Sequence, residues 1–177
     1  MGWNCPRRTH NIIHVYLGAV VMKINIIAVG SLKEKYLTDA CKEYLKRISR
    51  FHSIDIIELE EYKLPKNPSE LDISKGLVKE GERIEKHLKG YIVIMDIKGK
   101  QMDSVTFAKE IEKSANSYDT ISFVIGGSNG ICESVKNKAH LKFSFSQMTF
   151  PHQLFRVMLL EQIYRACTIS NNIMYHK

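Results

Sequence analysis

Residues 121–165 carry the most informative pattern in this chain, and they read ISFVIGGSNGICESVKNKAHLKFSFSQMTFPHQLFRVMLLEQIYR. The run Ile121–Ile125 is short, β-branched and followed by glycine, which predicts a buried strand. Gly126 and Gly127 permit positive φ and let a ligand approach the main chain closely. A second strand-like run, Leu141–Phe145, ends in a polar loop before a long apolar helix. Two loops therefore leave two strands on one side of the predicted sheet, where open α/β sheets bind ligands.

Apolar runs and amphipathic patterns alternate through the rest of the chain. The predicted strands are Met22–Gly30, Ser53–Leu59, Tyr91–Ile97, Ile121–Ile125 and Leu141–Phe145. The predicted helices run from Ser31 to about Arg50, from Ser69 to about Lys89, from Asp103 or Ser104 to about Ser114, from Glu133 to about Ala139, and from Pro151 to about Ile169. Ser31 and Glu34 have the spacing of a capping box, and Lys98–Gln101 is typical of a turn. The alternation predicts an α/β fold with a mostly parallel sheet flanked by helices.

The last predicted helix is apolar nearly all the way around. Because successive helical residues are rotated by about 100°, its apolar side chains cannot all face one sheet. We expect one face to pack on the sheet and the other to meet a second subunit, as in a C2 homodimer. Arg156 and Arg165 point to opposite sides of this helix, so a site at the subunit seam could use one of them. Alternatively, Arg165 forms an ion pair with Glu161, four residues before it.

Composition limits the classes of function. The chain has 177 residues and a net charge of +7, with a pI near 9.2, which favours a polyanionic partner but is a weak indicator alone. Its hydrophobic content of 44% and charged content of 25% are typical of a soluble globular protein. The four cysteines, Cys5, Cys41, Cys132 and Cys167, lie in separate segments without metal-binding spacing. Reduced thiols in a cytoplasmic protein are therefore expected, and no metal is implied.

Residues 1–21 differ in composition from the rest of the chain. They contain no acidic residue, and their apolar run is too short to span a bilayer. No signal-peptide cleavage motif precedes the first strand. We therefore expect residues 1–21 to be a leader outside the fold, with Met22 as the true start, and residues 22–177 to form one domain without a membrane anchor.

The glycine loop does not fit the common nucleotide motifs. A dinucleotide-binding fingerprint needs G-x-G-x-x-G after the first strand and an acidic residue about 20 positions later, and neither is present. The chain also lacks a P-loop motif and a G-x-S-x-G nucleophile elbow. What remains is a ligand held largely by main-chain groups on an apolar shelf, which suits a flat base joined to a compact zwitterion.

Several motifs occur together in this sequence. They are MKI at 22–24, AVG at 28–30, EGE at 80–82, FVIGGSNG at 123–130, FSFSQMTFPHQ at 143–153, Arg156, YRA at 164–166 and YHK at 175–177. This combination resembles the ribosomal RNA large subunit methyltransferase H family, which is one of the SPOUT, or α/β-knot, methyltransferases. The resemblance covers residues 22–177.

The resemblance implies a C-terminal trefoil knot, a homodimer, and S-adenosylmethionine as the methyl donor, bound in the knot loops. It places the donor site at Met95, Gly126, Phe145, Ser146, Gln147, Met148, Thr149 and Phe150. The implied reaction is methylation of N3 of a pseudouridine in 23S rRNA on the assembled ribosome, with no role for DNA. In this reaction the nucleophile must be positioned and must lose its proton.

Three residues are candidates for the catalytic work that the resemblance implies. Arg165 resembles the family's active-site arginine and could stabilise negative charge on the uracil oxygens. Tyr175 and His176 could hold or deprotonate the base. Two alternatives stay open: a SPOUT enzyme acting on tRNA or on a ribose 2′-hydroxyl, and a non-catalytic RNA-binding module for ribosome assembly.

Overall fold

The computed structural model describes residues 21–175, where strands and helices alternate. Residues 1–20 of the predicted leader, together with His176 and Lys177, lie outside the described residues. The strands are β1 (Lys23–Val29), β2 (Ser53–Leu59), β3 (Tyr91–Lys100), β4 (Thr120–Ile125) and β5 (Leu141–Phe143). The helices are α1 (Lys35–Ile48), α2 (Glu70–Glu85), α3 (Ser104–Ala115), α4 (Glu133–Lys136) and α5 (His152–Ser170).

The strands form one sheet in the order β2-β1-β4-β3-β5, and every pairing between them is parallel. β1 lies between β2 and β4, with Ile26 opposite Ile56 on one side and Phe123 on the other. Parallel strands need a crossover connection, and the intervening helices supply it. The predicted α/β fold with a parallel sheet flanked by helices is confirmed.

Two apolar layers cover the two faces of the sheet. Alternate residues of β1 point to opposite faces, so Ile24 and Ile26 belong to one core and Ile27 and Val29 to the other. The larger core also takes side chains from α1, α3 and α5, and the smaller one from α2 and α4. None of the helices within residues 21–175 is long and apolar enough to cross a membrane.

The last helix buries much of its apolar surface within the chain. Leu159, Leu160 and Ile163 are fully buried in the larger core, whereas Leu154 is 40% exposed. The helix packs against α1 and α3, and its buried side chains share the larger core with the sheet. Contacts with these two helices therefore account for part of the apolar surface that the sequence assigned to a second subunit, and the homodimer stays a prediction.

The predicted capping box at Ser31 is wrong. α1 begins later, with Glu34 as its N-cap residue, and the Glu34 side chain makes no capping hydrogen bond. Gly30 has a φ of +86°, and the turn after it is held by tertiary contacts instead. The amide of Leu32 donates to Glu58 Oε1 at 3.0 Å, and the amide of Lys33 donates to Gln153 Oε1 at 2.9 Å.

The predicted turn at Lys98–Gln101 is also wrong over most of its length. β3 continues to Lys100, which pairs with Phe143 of β5 after an irregular stretch. A Cβ on Gly99 would lie 2.6 Å from the Phe143 nitrogen, so only glycine allows this close approach. The predicted strand ends at Ile97 because the apolar run ends there and the following residues are mostly polar. β5 is correspondingly shorter than predicted and ends at Phe143.

Candidate functional site

The carboxyl ends of β3, β4 and β5 surround one cavity of about 640 Å³. This is the position where parallel α/β sheets bind ligands. The residues predicted to bind the donor that line it are Met95, Gly126, Phe145, Ser146, Met148, Thr149 and Phe150. Gln147 belongs to the same loop but does not line the cavity. The fold thus brings together segments that are up to 55 positions apart in the sequence, from Met95 to Phe150.

The glycine loop forms one wall of the cavity. A Cβ on Gly126 would lie 2.6 Å from the Gly130 oxygen and 2.6 Å from Ile131 Cγ1, so no larger residue fits without moving the loop. Gly130 has a φ of +87°, and its amide donates to the Gly127 oxygen at 3.0 Å. The loop therefore turns tightly and presents main chain, rather than side chains, to the cavity.

Aromatic rings form an apolar wall of the cavity. Phe145 packs edge-on against Phe143 with ring centroids 5.2 Å apart, and its other neighbour Phe155 lies at 4.9 Å. Phe150 extends this row, 6.3 Å from Phe155. Such rings offer a flat surface against which a planar heterocycle can stack. The loop that carries Phe145 is shaped by Ser146, whose Oγ accepts the Met148 amide at 3.0 Å.

An ion pair between Asp96 and Lys136 borders the cavity. Lys136 Nζ lies 3.0 Å from Asp96 Oδ2, and the two side chains are 23% and 12% exposed. Burial acts to raise the pKa of Asp96, but the Lys98 amide and the Lys136 ammonium outweigh it and hold that pKa below its usual range. Asp96 therefore stays a carboxylate at neutral pH and serves as an acceptor rather than as a proton donor.

Arg156 ties three segments of the chain together. The residue is 1% exposed, and its Nη1 donates to Glu58 Oε1 at 2.5 Å. Its Nη2 donates to the Gly30 oxygen at 2.6 Å, whereas Nε has no partner among the described residues. The arginine thus fastens the end of β1 and β2 to the first turns of α5. Sequence patterns give no indication of Glu58 as its partner, because β2 is a typical alternating strand.

Glu80 is a buried carboxylate that the sequence pattern missed. Glu80 lies in a helix rich in lysine and glutamate, yet it is 7% exposed. Its Oε1 accepts the Tyr62 amide at 2.8 Å, and its Oε2 would lie 3.3 Å from a Cβ on Gly127. Burial raises the pKa of Glu80. The sequence signal that could have found it is the EGE motif at 80–82, which forms part of the family resemblance.

Two of the predicted catalytic residues lie together, away from the cavity lining. Arg165 donates to Glu161 Oε1 from Nη2 at 2.6 Å and from Nε at 3.1 Å, so the ion pair considered as an alternative is present. The Tyr175 hydroxyl donates to the same oxygen at 3.4 Å, and the Arg165 guanidinium lies 5.0 Å from the Tyr175 ring centroid. Hydrogen bonding to Glu161 raises the pKa of Arg165, which remains a cation. His176 lies outside the described residues.

A second hollow connects these residues with the aromatic wall. Its volume is about 570 Å³, and it shares Phe143 and Phe145 with the first cavity. It extends to Glu161, the acceptor of Arg165 and Tyr175. Neither Arg165 nor Tyr175 lines the cavity of its own chain. Within the described residues, Arg165 and Tyr175 are therefore separate from the predicted donor residues that line the cavity.

Comparisons with known proteins identify the family. Residues 22–176 match the family described as "Predicted SPOUT methyltransferase". A relative from Methanococcus vannielii, provisionally named ribosomal RNA large subunit methyltransferase H, is 53% identical over 159 residues, covering 88% of this chain and 100% of that protein. The ribosomal RNA large subunit methyltransferase H of Leuconostoc mesenteroides is 45% identical with the same coverage, 88% and 100%.

Among solved structures, a "probable methylase family protein" from Haemophilus influenzae aligns with a TM-score of 0.50. It covers 88% of this chain and 70% of its own length at 11% identity, which shows a likeness of fold alone. The sequence relationship is much closer and extends over nearly all of the described residues. This chain therefore belongs to the SPOUT methyltransferases, in the family of the ribosomal RNA large subunit methyltransferase H proteins.

Proposed function

We propose that this protein methylates N3 of a pseudouridine in 23S rRNA, with S-adenosylmethionine as the methyl donor and the assembled ribosome as the substrate. The relationship to ribosomal RNA large subunit methyltransferase H proteins over the full length of the relatives is the observation that carries the proposal. The net charge of +7 suits an RNA partner. Ribosomes place the reaction in the cytoplasm.

The cavity fits the proposed donor in size and chemistry. Its volume of about 640 Å³ is within the range of small-molecule sites. Gly126 lets the glycine loop close tightly on itself beside the cavity, and the row from Phe143 to Phe155 offers a surface for adenine. Residues Met95, Gly126 and Phe145–Phe150 would hold the donor. When bound, the sulfonium group supplies an activated methyl for in-line displacement.

The protein's own residues then have to position and deprotonate the pseudouridine. Arg165, oriented by two hydrogen bonds to Glu161, stabilises the negative charge that develops on the uracil oxygens when N3 loses its proton. Tyr175 and His176 hold the base or take its proton. Because Arg165 and Tyr175 lie outside the cavity of their own chain, we propose a homodimer in which they face the partner's donor. The trefoil knot of SPOUT proteins belongs to the same proposal.

The proposal is tested with 70S ribosomes from a strain that lacks this methylation. The ribosomes are incubated with the protein and labelled S-adenosylmethionine, and the labelled nucleotide is located by mass spectrometry. Label is expected on N3 of one pseudouridine of 23S rRNA. The Arg165→Ala variant and a chain ending at Met174 should bind the donor normally and lose about 100-fold or more in kcat, as is typical when a group that stabilises the transition state is removed.

Other outcomes would replace the proposal with one of its alternatives. Donor binding without methylation of ribosomes, followed by label on tRNA or on a ribose 2′-hydroxyl, would move the substrate within the same superfamily. Ribosome binding without any donor binding would indicate a non-catalytic assembly module.

A further inference from the structure

Arg47 of α1 contacts two tyrosine rings and a carboxylate. The Arg47 guanidinium carbon lies 5.6 Å from the centroid of the Tyr44 ring and 5.6 Å from that of Tyr164 in α5. The two rings are themselves in contact, with centroids 6.2 Å apart. Arg47 Nε donates to Glu43 Oε1 at 2.9 Å, which fixes the plane of the guanidinium. We call Tyr44, Arg47 and Tyr164 the arginine–tyrosine surface.

The outer edge of this guanidinium is open. Among the described residues, Arg47 makes its hydrogen bond through Nε alone, so Nη1 and Nη2 have no protein acceptor there. The Arg47 side chain is 39% exposed. A planar guanidinium with two oriented, open nitrogens matches a phosphate group, which accepts paired hydrogen bonds. Because the tyrosine rings and Glu43 already order the side chain, binding costs less conformational entropy than for a mobile lysine.

The charge around Arg47 favours an anionic partner. Residues 42–50 contain four cations and one carboxylate. Lys46 and Arg50 lie close enough to Glu43 to lower its pKa together with Arg47, whose side-chain hydrogen bond to Glu43 is the largest cause. The Tyr44 and Tyr164 rings are half-buried and pack against the larger core, so they hold the cation in place. Aromatic rings among cations are typical of surfaces that contact unpaired RNA.

The position of this surface connects it to the candidate catalytic residues. The Tyr164 ring packs edge-on against the Tyr175 ring, with centroids 4.8 Å apart. The Arg165 guanidinium carbon lies 5.0 Å from the centroid of the same Tyr175 ring. A continuous row of rings and guanidinium groups thus runs from α1 to Arg165. We propose that the arginine–tyrosine surface contacts the RNA substrate, and that Arg47 binds a backbone phosphate of the strand that delivers the target nucleotide to Arg165 and Tyr175.

This inference rests on the proposed function, so its test separates RNA contact from catalysis. The Arg47→Gln variant is compared with Arg50→Gln, which removes the same charge two residues after the end of the same helix. In methylation assays with undermethylated 70S ribosomes, Arg47→Gln should raise KM for ribosomes about tenfold, as expected for loss of a charge-assisted phosphate contact. Its kcat, the donor Kd measured by calorimetry and the sedimentation coefficient should stay as in the wild type.

Salt dependence supplies a readout that a merely structural role would not change. The slope of log(kcat/KM) against log[KCl] should become shallower by about one for Arg47→Gln, since one phosphate contact is lost. Arg50→Gln should change KM by less than about twofold, and Arg47→Lys should be intermediate because it keeps the charge but not the paired hydrogen bonds.

Three results would overturn the inference. The first is an unchanged KM and salt slope in Arg47→Gln; the second is an equal effect of Arg50→Gln. The third is dissociation of the protein's oligomer or loss of donor binding in Arg47→Gln, which would make the surface a structural contact. If the wild type does not methylate ribosomes, the proposed function fails separately. Co-sedimentation of both variants with 70S ribosomes at increasing KCl then gives the same comparison without catalysis.

Discussion

Arg156 and Glu80 are buried charged residues with different hydrogen-bonding environments. Arg156 forms an ion pair with Glu58 through Nη1 and donates to main-chain oxygens, including that of Gly30, through Nη2. Two of its three nitrogens therefore have acceptors. Glu80 has one close donor, the Tyr62 amide, and burial is the main influence on it. A buried cation with acceptors is stabilised, whereas a buried carboxylate with few donors costs free energy when it is charged.

Glu80 should therefore make the fold less stable as the pH rises. Its pKa is higher in the folded chain than in the unfolded one, so the folded state keeps a proton that the unfolded state loses. The stability difference begins near pH 4, about the pKa of an unperturbed glutamate, and grows until the pH passes the raised pKa. The Glu80→Gln variant removes this effect while keeping the acceptor for Tyr62.

Denaturant unfolding of Glu80→Gln and the wild type between pH 4 and 8 measures the difference. We expect the variant to be the more stable protein at pH 7, with the advantage shrinking towards pH 4. The neighbouring charges Glu61, Arg83 and His152 also act on the pKa of Glu80. Glu82→Gln removes an exposed carboxylate from the same helix and serves as the matched control. An advantage that does not depend on pH would contradict the assignment.

Among the elements, β3 shows how the site is built from an irregular strand. Its regular half pairs with β4, and its last residues bend to pair again with β5 at Phe143. The Ser144 amide donates to the Lys100 oxygen at 3.1 Å and fastens this extension. Met95, the last paired residue before the irregular stretch, and Asp96, the first residue within it, both line the cavity.

The helix starts differ in a way that stability measurements can detect. Asp103 accepts the Thr106 amide at 2.6 Å and is the N-cap of α3, whereas Glu34 caps α1 without a side-chain hydrogen bond. Asp103→Ala should lower the free energy of unfolding by about 1 kcal/mol. Glu34→Ala should change it by less than about 0.5 kcal/mol, as exposed substitutions usually do. Urea unfolding measures both, and equal losses would show that the cap hydrogen bond contributes nothing.

For the whole molecule, the separation of the cavity from Arg165 predicts sites shared between subunits. Gly126→Ala should abolish donor binding, because the added Cβ meets main chain at 2.6 Å. Arg165→Ala should lower kcat about 100-fold or more. Co-expressed chains carrying one change each would form mixed dimers with one complete site. Random pairing of subunits then restores about a quarter of the wild-type activity.

The measurement is methylation of ribosomes by each single variant and by the co-expressed mixture. If the catalytic arginine serves the donor of its own chain, every site in the mixture lacks one component, and no activity should return. A mixture of Gly126→Ala with Gly126→Ala chains carrying a different affinity tag controls for the co-expression itself.

Local sequence patterns were sufficient to predict many of the strands, turns and caps of this protein. The apolar runs of β1, β2 and β4, the Asp103 cap and the glycine loop are short-range features, and their side-chain types already require strand, cap or tight turn. The motif combination from residue 22 onward also led to the family, which the comparisons confirmed. The grouping of Met95, Gly126 and Phe145–Phe150 at one cavity agrees with the resemblance, and donor binding by these residues stays a prediction.

Long-range pairing decided the rest. The pattern at Ser31 and Glu34 fits a capping box, but Glu58 and Gln153 capture the adjacent amides and α1 starts later. Partners such as Glu58 for Arg156 lie 98 positions apart, and no local periodicity encodes which strand will carry the acceptor. Burial of Glu80, the extension of β3 and the stacking of Arg47 on Tyr164 likewise depend on segments that meet only when the sheet and its helices are assembled.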